Sequence, residues 1–297
     1  MTLNLPDFST ILERLMPLES SFGPRTQSIG KWVDDQHRDI KENLALTEDQ
    51  SDGHDMQVLR IFIRDLLMRN IVGEGGNRIH DALRDIVQTK NDLIKGNFEG
   101  ALKQARYRWV KDGSNVIMEV VGYFRDKLCW NWQEYLQQAE RAKEWNFPDD
   151  PLLKIKNIKF KVRDLTLSNF NSNYAAFDLH VTRVVSRIGL VAYGWELTAD
   201  PEIDFGTNPS NKENYLFHHR LFRKLASISE GRFTPVDLDR IFWHLGRCKC
   251  RAATECATCP IRDECLTGRQ KCSKSVLNAL PQPGLLPTEK ENRTPSP

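Results

Sequence analysis

The sequence predicts an all-α fold, and three observations carry that expectation. Apolar residues recur at helical spacing, as in Val58, Leu59, Ile61, Phe62, Leu66 and Leu67. No two alternating β-branched runs are joined by a turn dipeptide, so paired strands are not expected. Six of the seven cysteines crowd between Cys248 and Cys272, which reads as a metal or cluster site and not as a disulfide framework stapling distant parts of a secreted fold.

Taken in order, residues 1–54 are tilted acidic by Asp34, Asp35, Asp39, Glu42, Glu48 and Asp49, and read as a helix or two ending in a polar loop. A helix then runs from Met56, and Gly73, Gly75 and Gly76 are expected to stop it, with another starting near Asn77. Further helices are expected over 93–108, 114–126 and 130–145, the last rich in Glu, Gln, Ala and Leu. Residues 191–215 combine Gly, Pro, Asn and Asp and read as an inserted surface loop. Thr234 is placed to cap a helix through His244, with Pro235 at its first position and Asp237 in its first turn. The end of the chain, 276–297, holds five prolines from Pro281 onward and is expected to be disordered.

Composition bounds the function. A chain of 297 residues can bury one large core or two small ones. With 40% hydrophobic and 28% charged residues it falls in the ordinary globular range. The net charge of +2 announces no nucleic-acid partner, so any DNA-binding surface must come from local clusters of Lys and Arg. The N-terminus has no basic lead before an apolar run, and nowhere do the roughly 18 consecutive apolar residues of a membrane span occur. The expectation is a soluble, intracellular, monomeric protein, cytoplasmic or at the nucleoid, or nuclear in a eukaryote.

Cys250, Cys256, Cys259 and Cys265 form a C-x5-C-x2-C-x5-C array. Four thiolates this close in sequence satisfy either tetrahedral zinc or a cubane iron–sulfur cluster, and spacing alone leaves both open. Ahead of them stand Gly246, Arg247, Cys248 and Lys249. This segment resembles the one leading into the cluster loop of endonuclease III-like glycosylases of the helix-hairpin-helix superfamily. There a Gly-Arg pair precedes the first ligand by two residues, which implies Cys250 as that ligand. The family usually has six residues between its first two ligands where this chain has five; Cys248 as the alternative fourth ligand would give seven, and Cys272 is a spare. The resemblance implies a structural, DNA-positioning [4Fe-4S] cluster, with zinc the other reading. Arg247, Lys249 and Arg251, with Arg262, Arg269 and Lys271, would then contact phosphates, where the plain alternative is solvated surface charge.

A second resemblance lies at 155–164, Ile-Lys-Asn-Ile-Lys-Phe-Lys-Val-Arg-Asp, which is similar to the family's hairpin. That hairpin uses glycines to bring backbone amides close to a phosphate. Here Asn157 and Lys159 replace both glycines. Asn tolerates the left-handed conformation, so the first change is mild, and the second leaves open a grip through the Lys159 ammonium. Lys161 stands where bifunctional members carry their catalytic lysine. Seventeen residues on, Asp178, His180, Arg183 and Val184 resemble the family's Val-Asp-x-His-x-x-Arg-Val segment, whose aspartate is the other catalytic residue. Lys156, Asn157, Lys159 and His180 are implied DNA contacts. Upstream, Leu66 to Asn70 align with the family's Leu-Leu-Ser-Ala-Gln, which implies that Asn70 fills the space left by an extruded nucleotide. The simpler readings are a solvated basic face for Lys161, an N-cap for Asp178 and an exposed helix end for Asn70.

The resemblance implies two helical domains: a barrel over 55–190 holding the hairpin at 152–167, and a cluster domain over 216–275 against which residues 1–54 pack. It also implies a DNA glycosylase with abasic-site lyase activity, acting on double-stranded DNA with a damaged, mismatched or modified base, the oxidised-pyrimidine type favoured. Such an enzyme must flip the base out of the stack. The alternatives are a monofunctional glycosylase using Asp178 and water, a non-catalytic DNA-binding protein of the same fold, and a zinc-stabilised helical protein unrelated to DNA.

Overall fold

The computed structural model describes residues 8–49, 51–68, 73–142, 149–193 and 212–279. Among them, thirteen α-helices follow one another: α1 Phe8–Leu15, α2 Ile29–Glu48, α3 Asp52–Leu66, α4 Gly73–Ile86, α5 Asp92–Lys95, α6 Phe98–Gln104, α7 Val110–Asp126, α8 Trp132–Ala142, α9 Phe160–Leu167, α10 Leu179–Ile188, α11 Lys212–Ile228, α12 Pro235–Cys248 and α13 Leu266–Ala279. No helix among the described residues is long and apolar enough to cross a membrane. Asn70, most of the expected 191–215 insertion and the tail from residue 280 lie outside the described residues.

The all-α expectation has one local exception. Glu19–Phe22 (β1) and Arg25–Ser28 (β2) pair antiparallel, with Glu19 opposite Ser28 and Phe22 opposite Arg25. Gly23 takes the turn at φ +58°, a conformation glycine adopts without steric cost. These four-residue strands, ESSF and RTQS, carry no β-branched alternation for a sequence pattern to detect. Their register is fixed from outside the hairpin: Trp32 Nε1 donates to the Ser20 carbonyl at 3.1 Å, and Ser20 Oγ bonds His244 Nδ1 at 2.9 Å.

Helix boundaries also shift. Gly73, Gly75 and Gly76 open α4 and do not merely stop α3, which ends at Leu66. The Gly76 Cα faces Met68, whose sulfur would stand 2.7 Å from an added Cβ, so a glycine there serves close packing. The stretch expected as one helix over 93–108 is split into α5 and α6. Asn97 caps α6 by accepting from the Gly100 amide at 2.8 Å.

Two apolar cores divide the chain near Tyr174 and Ala175. One gathers residues of α3, α4, α6, α7, α8 and α9 from Met56 to Tyr174, including Phe62, Phe124 and Trp132. The other joins α1 and the start of α2 to Phe177, α10, α11, α12 and Ile261. Helix α10 therefore packs with the second core, through Val181, Val184 and Val185.

Helix α9 is tied to both. Its Arg163 is fully buried and pairs with Asp150 at 3.1 Å and with Asp164. Tyr135 of α8 donates to Asp150 at 3.3 Å, and Tyr215 of α11 donates to Asp164 at 2.8 Å. Burial pushes the Asp164 carboxyl up to about 6 against the pull of the Arg163 guanidinium. Breaking one partner of such a buried pair typically costs about 3–5 kcal/mol. The network thus fixes the helix that follows the hairpin.

Candidate active site and cysteine loop

Where the two cores meet, a cleft of about 720 Å³ opens. Lys161 and Asp178 both line it, on different elements. Lys161 sits in the first turn of α9, behind a tight turn in which Asn157 holds φ +75°. Lys159 caps α9 in ordinary extended backbone, φ −121° and ψ 167°, and its side chain makes no cap bond. The second lost glycine therefore imposes no strain, and the first amides of α9 stay uncapped by that side chain. Lys156 and Lys159 are exposed.

Asp178 is the N-cap of α10. Its Oδ1 accepts from the His180 and Val181 amides at 2.8 and 3.0 Å, while Oδ2 accepts from Trp243 Nε1 at 3.1 Å. The capping role and the cleft-facing role are thus combined in one carboxylate, each using a different oxygen. His180 lines the cleft two residues on, its Nδ1 bonded to Arg183 at 2.9 Å.

The hairpin, α2 and α12 give the cleft an aromatic wall. Phe22 meets Trp32 and Trp243 edge-on at 6.1 and 5.3 Å, and Trp32 stacks on His244 at 5.0 Å. The Arg247 guanidinium lies 4.6 Å from the Trp243 ring centre and 5.4 Å from that of Phe22. Burial, with Arg240 and Arg247 nearby, pushes His244 down to about 3, so its ring is neutral at pH 7. Arg247 was singled out from the sequence, whereas Phe22, Trp32, Trp243 and His244 escaped it because the hairpin and α12 are far apart in the chain, Ser20 and His244 being 224 positions apart. From the other side, Arg64 grips Asp65 at 2.6 Å, and Asn169 donates to Asp65 at 2.5 Å, so α3 is joined to the end of α9 along the cleft.

A second, much smaller cavity, about 20 Å³, is lined by Cys250, Cys256, Cys259 and Cys265 together. Cys248 and Cys272 do not line it. Among the described residues no three His, Cys, Asp or Glu side chains converge tightly enough to hold a single metal ion. Burial, then the nearness of the other thiols, pushes Cys259 up to about 11, and Cys265 is raised for the same reasons. Four thiols lining one pocket are a donor set of the kind that a soft cationic centre takes. By that test the residues fit a thiolate-bound group.

Helix α10 is clamped to this loop. Arg183 donates to the carbonyls of Cys250 and Gly246, each at 3.1 Å, and Arg187 donates to those of Cys250 and Arg251 at 3.3 and 2.5 Å. Gly246 explains itself physically here: an added Cβ would stand 3.1 Å from both Cβ and O of His180. Lys249 is drawn into the loop by Glu255 at 3.2 Å and Thr258 at 3.0 Å, whereas Arg251 is exposed and donates to the Arg247 carbonyl at 2.6 Å.

No family model and no curated protein sequence matches this chain. By structure it is similar to a solved complex described as a trapped endonuclease III–DNA covalent intermediate in its estranged-adenine form. The TM-score is 0.55 at 16% identity, covering 91% of this chain and 100% of that one. The fold is therefore endonuclease III-like.

Proposed function

We propose that this protein is a DNA glycosylase with abasic-site lyase activity. The observation that carries the reading is the single cleft shared by Lys161 and Asp178, from two helix starts that flank the junction of the cores. The similar solved protein is described as covalently trapped on DNA, and a covalent intermediate requires a nucleophile. Lys161 is the one lysine lining the cleft among the described residues.

The target base is flipped from the duplex at a cost of a few kcal/mol and enters the cleft beside the aromatic wall. The Lys161 amine attacks C1′ of the sugar as the bond to the base breaks. Asp178, held by three donors, presents a fixed negative charge to the sugar as it gains positive character. The resulting imine permits elimination of the 3′ phosphate. An oxidised pyrimidine is the favoured base. A monomer on double-stranded DNA suffices, because both residues come from one chain.

Lys156, Asn157 and Lys159 at the hairpin, with Arg251 at the loop, supply phosphate contacts; Arg247 and His180 face the cleft. Cys250, Cys256, Cys259 and Cys265 would hold a [4Fe-4S] cluster, whose contribution is to shape the loop, with zinc the alternative occupant. Borohydride trapping on duplexes bearing single lesions or an abasic site tests the reading. Lys161→Ala should abolish the trapped complex while leaving DNA affinity nearly unchanged. Trapping that survives the substitution would overturn the assignment.

A further inference from the structure

A second carboxyl belongs to the same cleft. Asp239, on α12, is 2% exposed, lines the cleft with Lys161 and Asp178, and accepts one long hydrogen bond, 3.3 Å from the Ala176 amide. Asp178 receives three donors, two of them at a helix start. Two carboxyls in one site with such unequal surroundings divide the labour of charge and proton.

Burial is the largest influence on Asp239 and pushes it up to about 6. Arg240 on its own helix opposes that shift, the Asp178 charge adds to it, and the Ala176 amide and the Lys161 ammonium oppose it. Across the cleft, α2 brings Asp35, Arg38 and Asp39, and α3 brings Arg64 and Asp65. Asp35 is held at about 2 by hydrogen bonds from Gln27, Lys31 and Arg38, so it stays ionised and exchanges no proton near neutrality. Asp239 is thus a group that both takes and gives a proton in the range where such an enzyme works.

We propose that Asp239 is the proton relay for Lys161, taking the proton that the amine sheds once bonded to C1′ and passing it to the sugar ring oxygen as the ring opens. The inference rests on Lys161 being the nucleophile. The Lys161 ammonium first gives a proton to water; its lone pair then forms the N–C1′ bond while the base leaves with the electrons of its own bond to C1′ and takes a proton from water. The nitrogen, now a secondary ammonium, loses one proton to the Asp239 carboxylate. Its freed lone pair forms the C=N bond as C1′–O4′ breaks, and O4′ takes the proton back from Asp239. The carboxylate returns to its starting state and no outside oxidant or reductant is needed.

Asp239→Asn keeps the size of the side chain and an oxygen for the Ala176 amide but carries no exchangeable acid. Single-turnover borohydride trapping on a duplex bearing an oxidised pyrimidine should be slowed about 10²–10⁴-fold, the usual scale of general acid–base catalysis. Wild-type trapping should fall as pH drops through about 6, and the variant should lack that limb. Asp239→Ala should be equally slow and should regain rate with added formate, which a purely structural role for the carboxyl would not permit. Wild-type protein that traps, together with Asp239→Asn of unchanged rate and pH profile, overturns the relay alone. Wild-type protein that excises a base and never traps overturns the Lys161 reading and the relay with it.

Discussion

Trp243 donates its indole N–H to the oxygen of Asp178 that the helix cap leaves unused, at 3.1 Å. The bond aims a carboxylate whose other oxygen is occupied by two amides. Trp243→Phe keeps a ring against Phe22 and removes only the donor. A net loss of about 1 kcal/mol of stability is expected for one hydrogen bond, alongside a larger, roughly tenfold or greater fall in base excision. Thermal melts and single-turnover excision measure the two separately, and equal small losses in both would show that the bond serves packing alone.

Gly246 sits where α12 meets α10 at backbone distance. Gly246→Ala should force the helices apart or bend them, because a rigid carbonyl, that of His180, is one of the atoms it meets. A destabilisation of about 1–3 kcal/mol is expected, the range for overpacking. Denaturant unfolding checks it, and a neutral result would mean that α10 can slide without penalty.

The cysteine cavity predicts a ranking. Protein prepared without oxygen should carry iron, and serine at Cys250, Cys256, Cys259 or Cys265 should lower the metal content far more than serine at Cys248 or Cys272. Metal analysis of the six variants tests this. Zinc in place of iron would retain the ligand set and change the centre.

Asp239 gives a stability signature of its own. Its folded value, about 6, lies above the 3.8 of an ordinary aspartate, so the folded state holds the proton more tightly between those two pH values. Its contribution to stability is therefore full below about 3.8 and is lost as pH rises through 6. Asp239→Asn removes that loss and should stabilise the protein at pH 8, by up to about 3 kcal/mol, with the gain vanishing towards pH 4. His218 and His244 act with the opposite sign. Burial lowers them to about 4 and about 3, so the unfolded chain gains protons below about 6.5 that the folded chain refuses. In the variant this acid limb should steepen. Melting temperatures from pH 4 to 8 decide the matter.

Lys159 should act as a point charge on DNA. Lys159→Gln should weaken binding to all sequences alike and lower the salt slope by roughly one unit. An unchanged slope would mean that the ammonium never reaches a phosphate.

Local motifs were legible in the sequence where the chemistry is local. Asn157 reads as a left-handed residue from its type alone, and it holds φ +75°. Lys161 and Asp178 were singled out by the family resemblance, and the structure brings both to one cleft. The cap of α12 is equally local, with Thr234 accepting from the Asp237 amide at 3.4 Å. What stayed hidden depends on distant pairing. Phe22 and Trp32 look like scattered aromatics until the hairpin folds onto α12, and Asp239 looks like one more surface acid until α12 is buried. Arg187 reads as an ordinary helix cation, and Arg183 only as a member of the segment around Asp178, because nothing nearby in sequence reveals the carbonyls they reach.

The clamp on α10 has a mechanical meaning. One ten-residue helix, roughly 15 Å long, carries Asp178 at its leading end and is bolted by Arg183 and Arg187 to the carbonyls of the cysteine loop along its trailing half. The helix behaves as a lever whose fulcrum is Gly246. A change in the loop would reach the Asp178 cap through this one helix, whereas Lys161 is held separately, on the helix that Arg163 and its buried partners anchor.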